Sequence, residues 1–164
     1  PTHGIISPEY FIPLAEECGM IDKITQFVID EALSQSADWS RKGYTPRVSI
    51  NISARTLEDL EFPEKLLLRL REHGVPSDRL AIELTETSVA KDLRKSLDIL
   101  TRLRIKGFVL SIDDFGTGYS SMLQLVQAPF TELKVDRAFV GTLLVDSDCR
   151  SVVSASIKLA HELI

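Results

Sequence analysis

Four short stretches of the chain alternate between apolar and polar residues with a period of two: VSINIS (48–53), LAIELTE (80–86), FVLSIDD (108–114) and ELKVD (132–136). Successive side chains of a strand point to opposite faces, so each stretch sorts into two sets. Val48, Ile50 and Ile52 oppose Ser49, Asn51 and Ser53, and Leu80, Ile82 and Leu84 oppose Ala81, Glu83 and Thr85. Phe108, Leu110 and Ile112 oppose Val109, Ser111 and Asp113, while Leu133 and Val135 oppose Lys134 and Asp136. One face is bulky and apolar throughout. The other carries a polar or charged group near the C-terminal end of every strand.

Segments of helical period lie around these strands. Ser7, Pro8 and Gly19 mark the start and end of a first helix, which Pro13 is expected to break into two short pieces. Ile24, Phe27, Val28, Ala32 and Trp39 recur at helical spacing between Asp22 and about Lys42, before Gly43. Glu64 to His73 and Asp92 to Lys106 are further helices, each stopped by a glycine (Gly74, Gly107), and a last one runs from about Asp148. Strands alternating with helices predict parallel β/α units. A parallel sheet covered on both faces reads as continuous apolar runs, which these strands are not. A barrel accounts for the consistent polar face, because its inward residues gather at the C-terminal mouth. An open doubly wound sheet also puts ligands at strand ends, but gives no reason for a uniform polar face.

With 164 residues, 44% hydrophobic and 26% charged, the chain is expected to form one globular domain. Its longest apolar runs are about five residues, against the roughly 20 that span a bilayer, and no charged-then-apolar leader opens it. The expectation is a cytoplasmic segment without membrane contact, whose parent protein has room for an anchor elsewhere. Cys18 and Cys149 stand apart and are expected to be reduced thiols, and His3, His73 and His161 lack ligand-like spacing. A net charge of −5 argues against coating bulk nucleic acid by charge alone. A small anionic ligand would need a bound cation or a local lysine.

Asn51, Glu83, Asp113, Asp114 and Lys134 would converge at such a mouth. Carboxylates crowded together repel by roughly a few kcal/mol per pair at an effective dielectric near 20. Either they are separately solvated loop residues, or a divalent cation offsets them. All-oxygen donors without histidine or cysteine suit Mg²⁺ or Mn²⁺ over zinc. In SIDDFGTGYSS (111–121) a bulge or bend would turn both adjacent aspartates toward the mouth, one bridging two ions and the other binding the second. Paired ions of that kind serve phosphoester displacement. Lys134 would orient the attacking water or offset phosphate charge; the plainer reading is a salt bridge to Asp136 or Glu83. Alternation puts Glu86 on the other face from Glu83, which favours a supporting role for it.

FIPLAEECGMI, VSINIS, IELTET, SIDDFGTGYSS and LKVDRAFV, in this order, resemble the EAL-domain family, phosphodiesterases that hydrolyse cyclic di-GMP. The resemblance runs through essentially the whole chain. It implies a modified TIM-type (β/α) barrel, two Mg²⁺ or Mn²⁺ ions, and linear pGpG as product. It places metal ligands at Asn51, Glu83, Asp113 and Asp114, the lysine contacting the catalytic water at Lys134, and the glutamate steadying the loop after the aspartates at Glu86. Asp136 is a further candidate, for contacting substrate. The loop after Asp114 is associated in the family with homodimers, and regulatory or sensory domains are expected in the parent chain. The namesake Glu-Ala-Leu would lie upstream and a further glutamate downstream, so residues 1–164 are expected to be the middle two-thirds of a domain, inactive alone. A catalytically silent cyclic di-GMP receptor is the alternative expectation.

Overall fold

The apolar faces read from the first three strands are largely buried in one sheet, while the fourth strand is half-buried along its length. The computed structural model describes residues 4–90, 93–117 and 122–163. Within them β1 (Val48–Asn51), β2 (Leu80–Thr85), β3 (Val109–Phe115) and β4 (Glu132–Val135) form a parallel sheet in sequential order. The crossovers are helical: α3 (Phe62–His73) joins β1 to β2, α4 (Glu86–Ala90) and α5 (Leu93–Ile105) join β2 to β3, and α6 (Met122–Gln127) joins β3 to β4. Ahead of the sheet lie α1 (Pro8–Glu17) and α2 (Ile21–Arg41); after it come α7 (Arg137–Gly141) and α8 (Ser147–Leu163). This is the α/β architecture of a partial barrel.

Ile50, Ile82, Leu84, Leu110 and Ile112 point from the strands into a core shared with Ile29 and Leu33 of α2, Leu66 and Leu70 of α3, and Ile99, Leu100 and Leu103 of α5. Burying each such side chain contributes about 1.5–3 kcal/mol before entropy is counted. The opposite face differs from strand to strand. Ser49 and Asn51 of the edge strand β1 are exposed, whereas Glu83 and Ser111 on the two central strands are buried. At the N-terminal end Arg47 pairs with Glu132 and donates through Nε to the Asp78 carbonyl at 3.2 Å. Those contacts tie the entrance of β1 to those of β2 and β4.

Pro13 does not break its segment. A single helix runs from Pro8 to Glu17 with Pro13 inside it. Both Pro13 and Glu9, the residue four earlier whose carbonyl loses its N–H partner, are exposed, so water can serve that carbonyl. The chain leaves α2, α3 and α5 through left-handed glycines, Gly43, Gly74 and Gly107, where the sequence placed the stops. The expected start of α5 at Asp92 lies outside the described residues. Cys18 and Cys149 are free, and among the described residues no helix is long and apolar enough to cross a membrane.

Candidate functional site

Strand register places the polar residues side by side. Asn51 pairs with Glu83, Glu83 with Ser111, and Ser111 with Glu132; two residues on, Thr85 pairs with Asp113. Asn51, Glu83 and Asp113 therefore belong to the C-terminal ends of three adjoining strands. The β3–β4 pairing then slips: it passes from Ile112 opposite Leu133 to Phe115 opposite Val135, three steps on β3 against two on β4. Asp113 and Asp114 occupy this bulge, with Lys134 on the facing strand. Such an insertion bends its strand and re-aims a side chain.

Asp114 takes φ +54°, a left-handed conformation that aspartate tolerates better than most residues. Its N–H donates to Asp113 Oδ1 at 3.1 Å, and Thr117 Oγ1 donates to its carbonyl at 2.8 Å. The bend sends Asp114 into a cleft of about 680 Å³, whose walls include Asn51, Ser53, Thr85 and Ser88, with Ile12 and Glu16 of α1 on the far side. Thr85 Oγ1 and Ser88 Oγ are hydrogen-bonded to each other at 2.8 Å. Partial burial, the adjoining Asp113 carboxylate and the hydrogen-bonded Asp136 push the Asp114 carboxyl above its usual range, an effect that Arg137 opposes. Asp114 remains largely open to water, so that shift represents little free energy.

Lys134 does not stand free: its Nζ pairs with Glu83 Oε1. Glu83 is 5% exposed and Lys134 39%, so the lysine brings its charge to a carboxylate that has almost no solvent. Ser111 lies on the strand between them, and its buried Oγ has no hydrogen-bond partner among the described residues. Glu86 is buried at the start of α4. Asp136 caps α7, its Oδ1 accepting from Ala138 N–H at 2.6 Å.

Among the described residues, no three side chains of the His, Cys, Asp and Glu types stand together closely enough to hold a metal. The donors present still fit a hard divalent cation in kind: an amide oxygen and three carboxylates at strand ends, two of them crowded in one bulge. Two features of the site were not foreseen from sequence. The α1 wall of the cleft precedes every strand and carries no mark in their alternation. The burial of Ser111 on β3, between the strands that carry Glu83 and Lys134, depends on three strands at once. Of the loop after Asp114, Gly118, Tyr119, Ser120 and Ser121 lie outside the described residues.

Comparison with known proteins bears on the family and the fold. The chain is 40% identical to the bifunctional diguanylate cyclase/cyclic di-GMP phosphodiesterase MucR of Pseudomonas aeruginosa, over 99% of its own length and 24% of that protein. It is 35% identical to the cyclic di-GMP phosphodiesterase PdeR of Escherichia coli, over 99% of itself and 25% of PdeR. The chain thus spans about a quarter of the length of these relatives. The solved structure of the MucR phosphodiesterase with c-di-GMP superimposes with a TM-score of 0.93 at 40% identity, covering 99% of this chain and 66% of that one. The sequence profile of the EAL domain matches residues 1–164. The chain belongs to the EAL domain family.

Proposed function

We propose that the domain to which this chain belongs hydrolyses cyclic di-GMP to linear pGpG, with Asn51, Glu83, Asp113 and Asp114 holding divalent metal. The observation carrying this reading is the bulge that sets Asp113 and Asp114 beside Lys134, at the end of a strand flanked by Glu83. Relatives named as cyclic di-GMP phosphodiesterases, and a c-di-GMP complex of one of them, support the substrate. When bound, a divalent cation lowers the pKa of a coordinated water and offsets charge on a phosphodiester. Mg²⁺ or Mn²⁺, as a pair, matches the all-oxygen donors.

The chain's own groups supply the rest. Lys134 is anchored on Glu83 and 39% exposed; in this reading its ammonium orients an attacking water or steadies developing phosphate charge. Glu86, buried at the base of α4, supports the loop after the aspartates. Asp136 is the candidate for contacting substrate, beside Asp114. Four strands leave an eight-stranded barrel open, so we take the active unit to be a longer domain, paired as a homodimer through the loop after Asp114 and joined to regulatory domains in a cytoplasmic part of its parent.

Incubating that protein with cyclic di-GMP and Mg²⁺ or Mn²⁺ tests the reading by following pGpG. Lys134→Ala is expected to lower turnover by about 100-fold or more while largely sparing dinucleotide binding. Binding without turnover in the unaltered protein, under either ion, would point instead to a silent receptor.

A further inference from the structure

Gly116 and Phe139 approach so closely that a side chain at position 116 would crowd the ring. A Cβ on Gly116 would lie 3.0 Å from Phe139 Cε2 and 3.5 Å from Val152 Cγ1, and Gly116 has φ +99°. The ring edge therefore rests near bare backbone, two residues beyond Asp114. Asp114 is itself left-handed, which costs a residue bearing a Cβ about 1–2 kcal/mol. Such conformations persist where the surroundings over-determine them.

The surroundings here are specific. Thr117 N–H and Oγ1 both reach the Asp114 carbonyl, at 3.3 Å and 2.8 Å. Asp136 N–H donates to the Phe115 carbonyl at 3.4 Å, tying the end of β4 to the turn. Asp136 then starts α7, and Phe139 N–H donates to the Asp136 carbonyl at 3.2 Å. That short helix thereby carries the Phe139 ring to Gly116. On its other side α7 packs against α8, which contributes Val152 to the same contact. Phe139 is not among the residues lining the cleft, so whatever it does there passes through the backbone at 114–116.

We propose that Phe139 is a positioning residue: seated on Gly116, its ring holds the aspartate turn in the bend that presents Asp114 to the mouth. The catalytic meaning of this clamp rests on the hydrolase reading; its mechanical part does not. Residues that orient metal ligands typically change metal affinity by about 10–100-fold when altered.

The test compares wild type, Phe139→Ala and Phe139→Leu in the intact protein. Mn²⁺ affinity is measured by electron paramagnetic resonance titration, and amide hydrogen exchange across residues 113–117 and across β2. For Phe139→Ala the clamp predicts Mn²⁺ binding weaker by about 10-fold and faster exchange at Thr117, with β2 unchanged. Phe139→Leu should restore most of both. Unaltered exchange in the turn, or exchange accelerated equally in β2, overturns the clamp whether or not Mn²⁺ binds. Failure of the wild-type protein to bind Mn²⁺ would instead overturn the metal site, and the exchange comparison would still decide the clamp.

Discussion

Lys134 donates to Glu83 across the intervening strand β3, joining the fourth strand to the second. The pair is lopsided, a half-exposed cation on a buried carboxylate. Its loss therefore falls mainly on Glu83, which has no water to turn to.

Lys134→Met should accordingly destabilise the fold by about 1–2 kcal/mol, less than a fully buried pair because the lysine is partly solvated. Adding Glu83→Gln should recover much of that, since the amide needs no counter-ion. Urea denaturation of the two single variants and the double variant measures the coupling. Additive losses would mean that the pair contributes nothing of its own.

Ser111 offers the opposite case. Its buried hydroxyl has no partner among the described residues, so Ser111→Ala should be neutral or stabilising, by up to about 1 kcal/mol. Thermal melting of the variant checks this. A loss of several degrees would reveal a hydrogen bond essential to the native state.

Asp114 makes a prediction with a pH sign. Its folded carboxyl titrates above its unfolded value, chiefly through burial and the neighbouring Asp113. Protonated Asp114 therefore favours the folded state; that contribution is complete below the unfolded value and is lost as pH rises through the folded one. Asp114→Asn removes the repulsion and keeps a residue suited to positive φ. In chelator, its melting temperature should exceed wild type by about 1 °C near neutrality, the shift being small because the group is well solvated. The gain should vanish at acid pH. A difference independent of pH would show that the charge is not its source.

Much of this molecule was legible in the chain because its signals are local. The two-residue alternation of VSINIS and FVLSIDD marks strands and buried faces, and the glycines at 43, 74 and 107 end helices as left-handed caps. The adjacent aspartates announced a bulge, and the register slip between Ile112 and Phe115 is one. What stayed hidden depends on contacts remote in sequence or on elements too short for a period. α4 and α7 are five residues each, less than two turns. Whether Lys134 would pair with Asp136 or Glu83 was open until β3 stood between β2 and β4. Pro13 misled because its cost depends on whether solvent reaches the Glu9 carbonyl, which composition does not record.

If these strand ends share one divalent-cation site, the ion itself can be located there. A crystal of the intact domain grown with Mn²⁺ and measured near the manganese absorption edge should show an anomalous peak within bonding distance of Asn51, Glu83 and the Asp113–Asp114 bulge. Saturating Mn²⁺ with well-ordered side chains and no peak there would rule out a shared site.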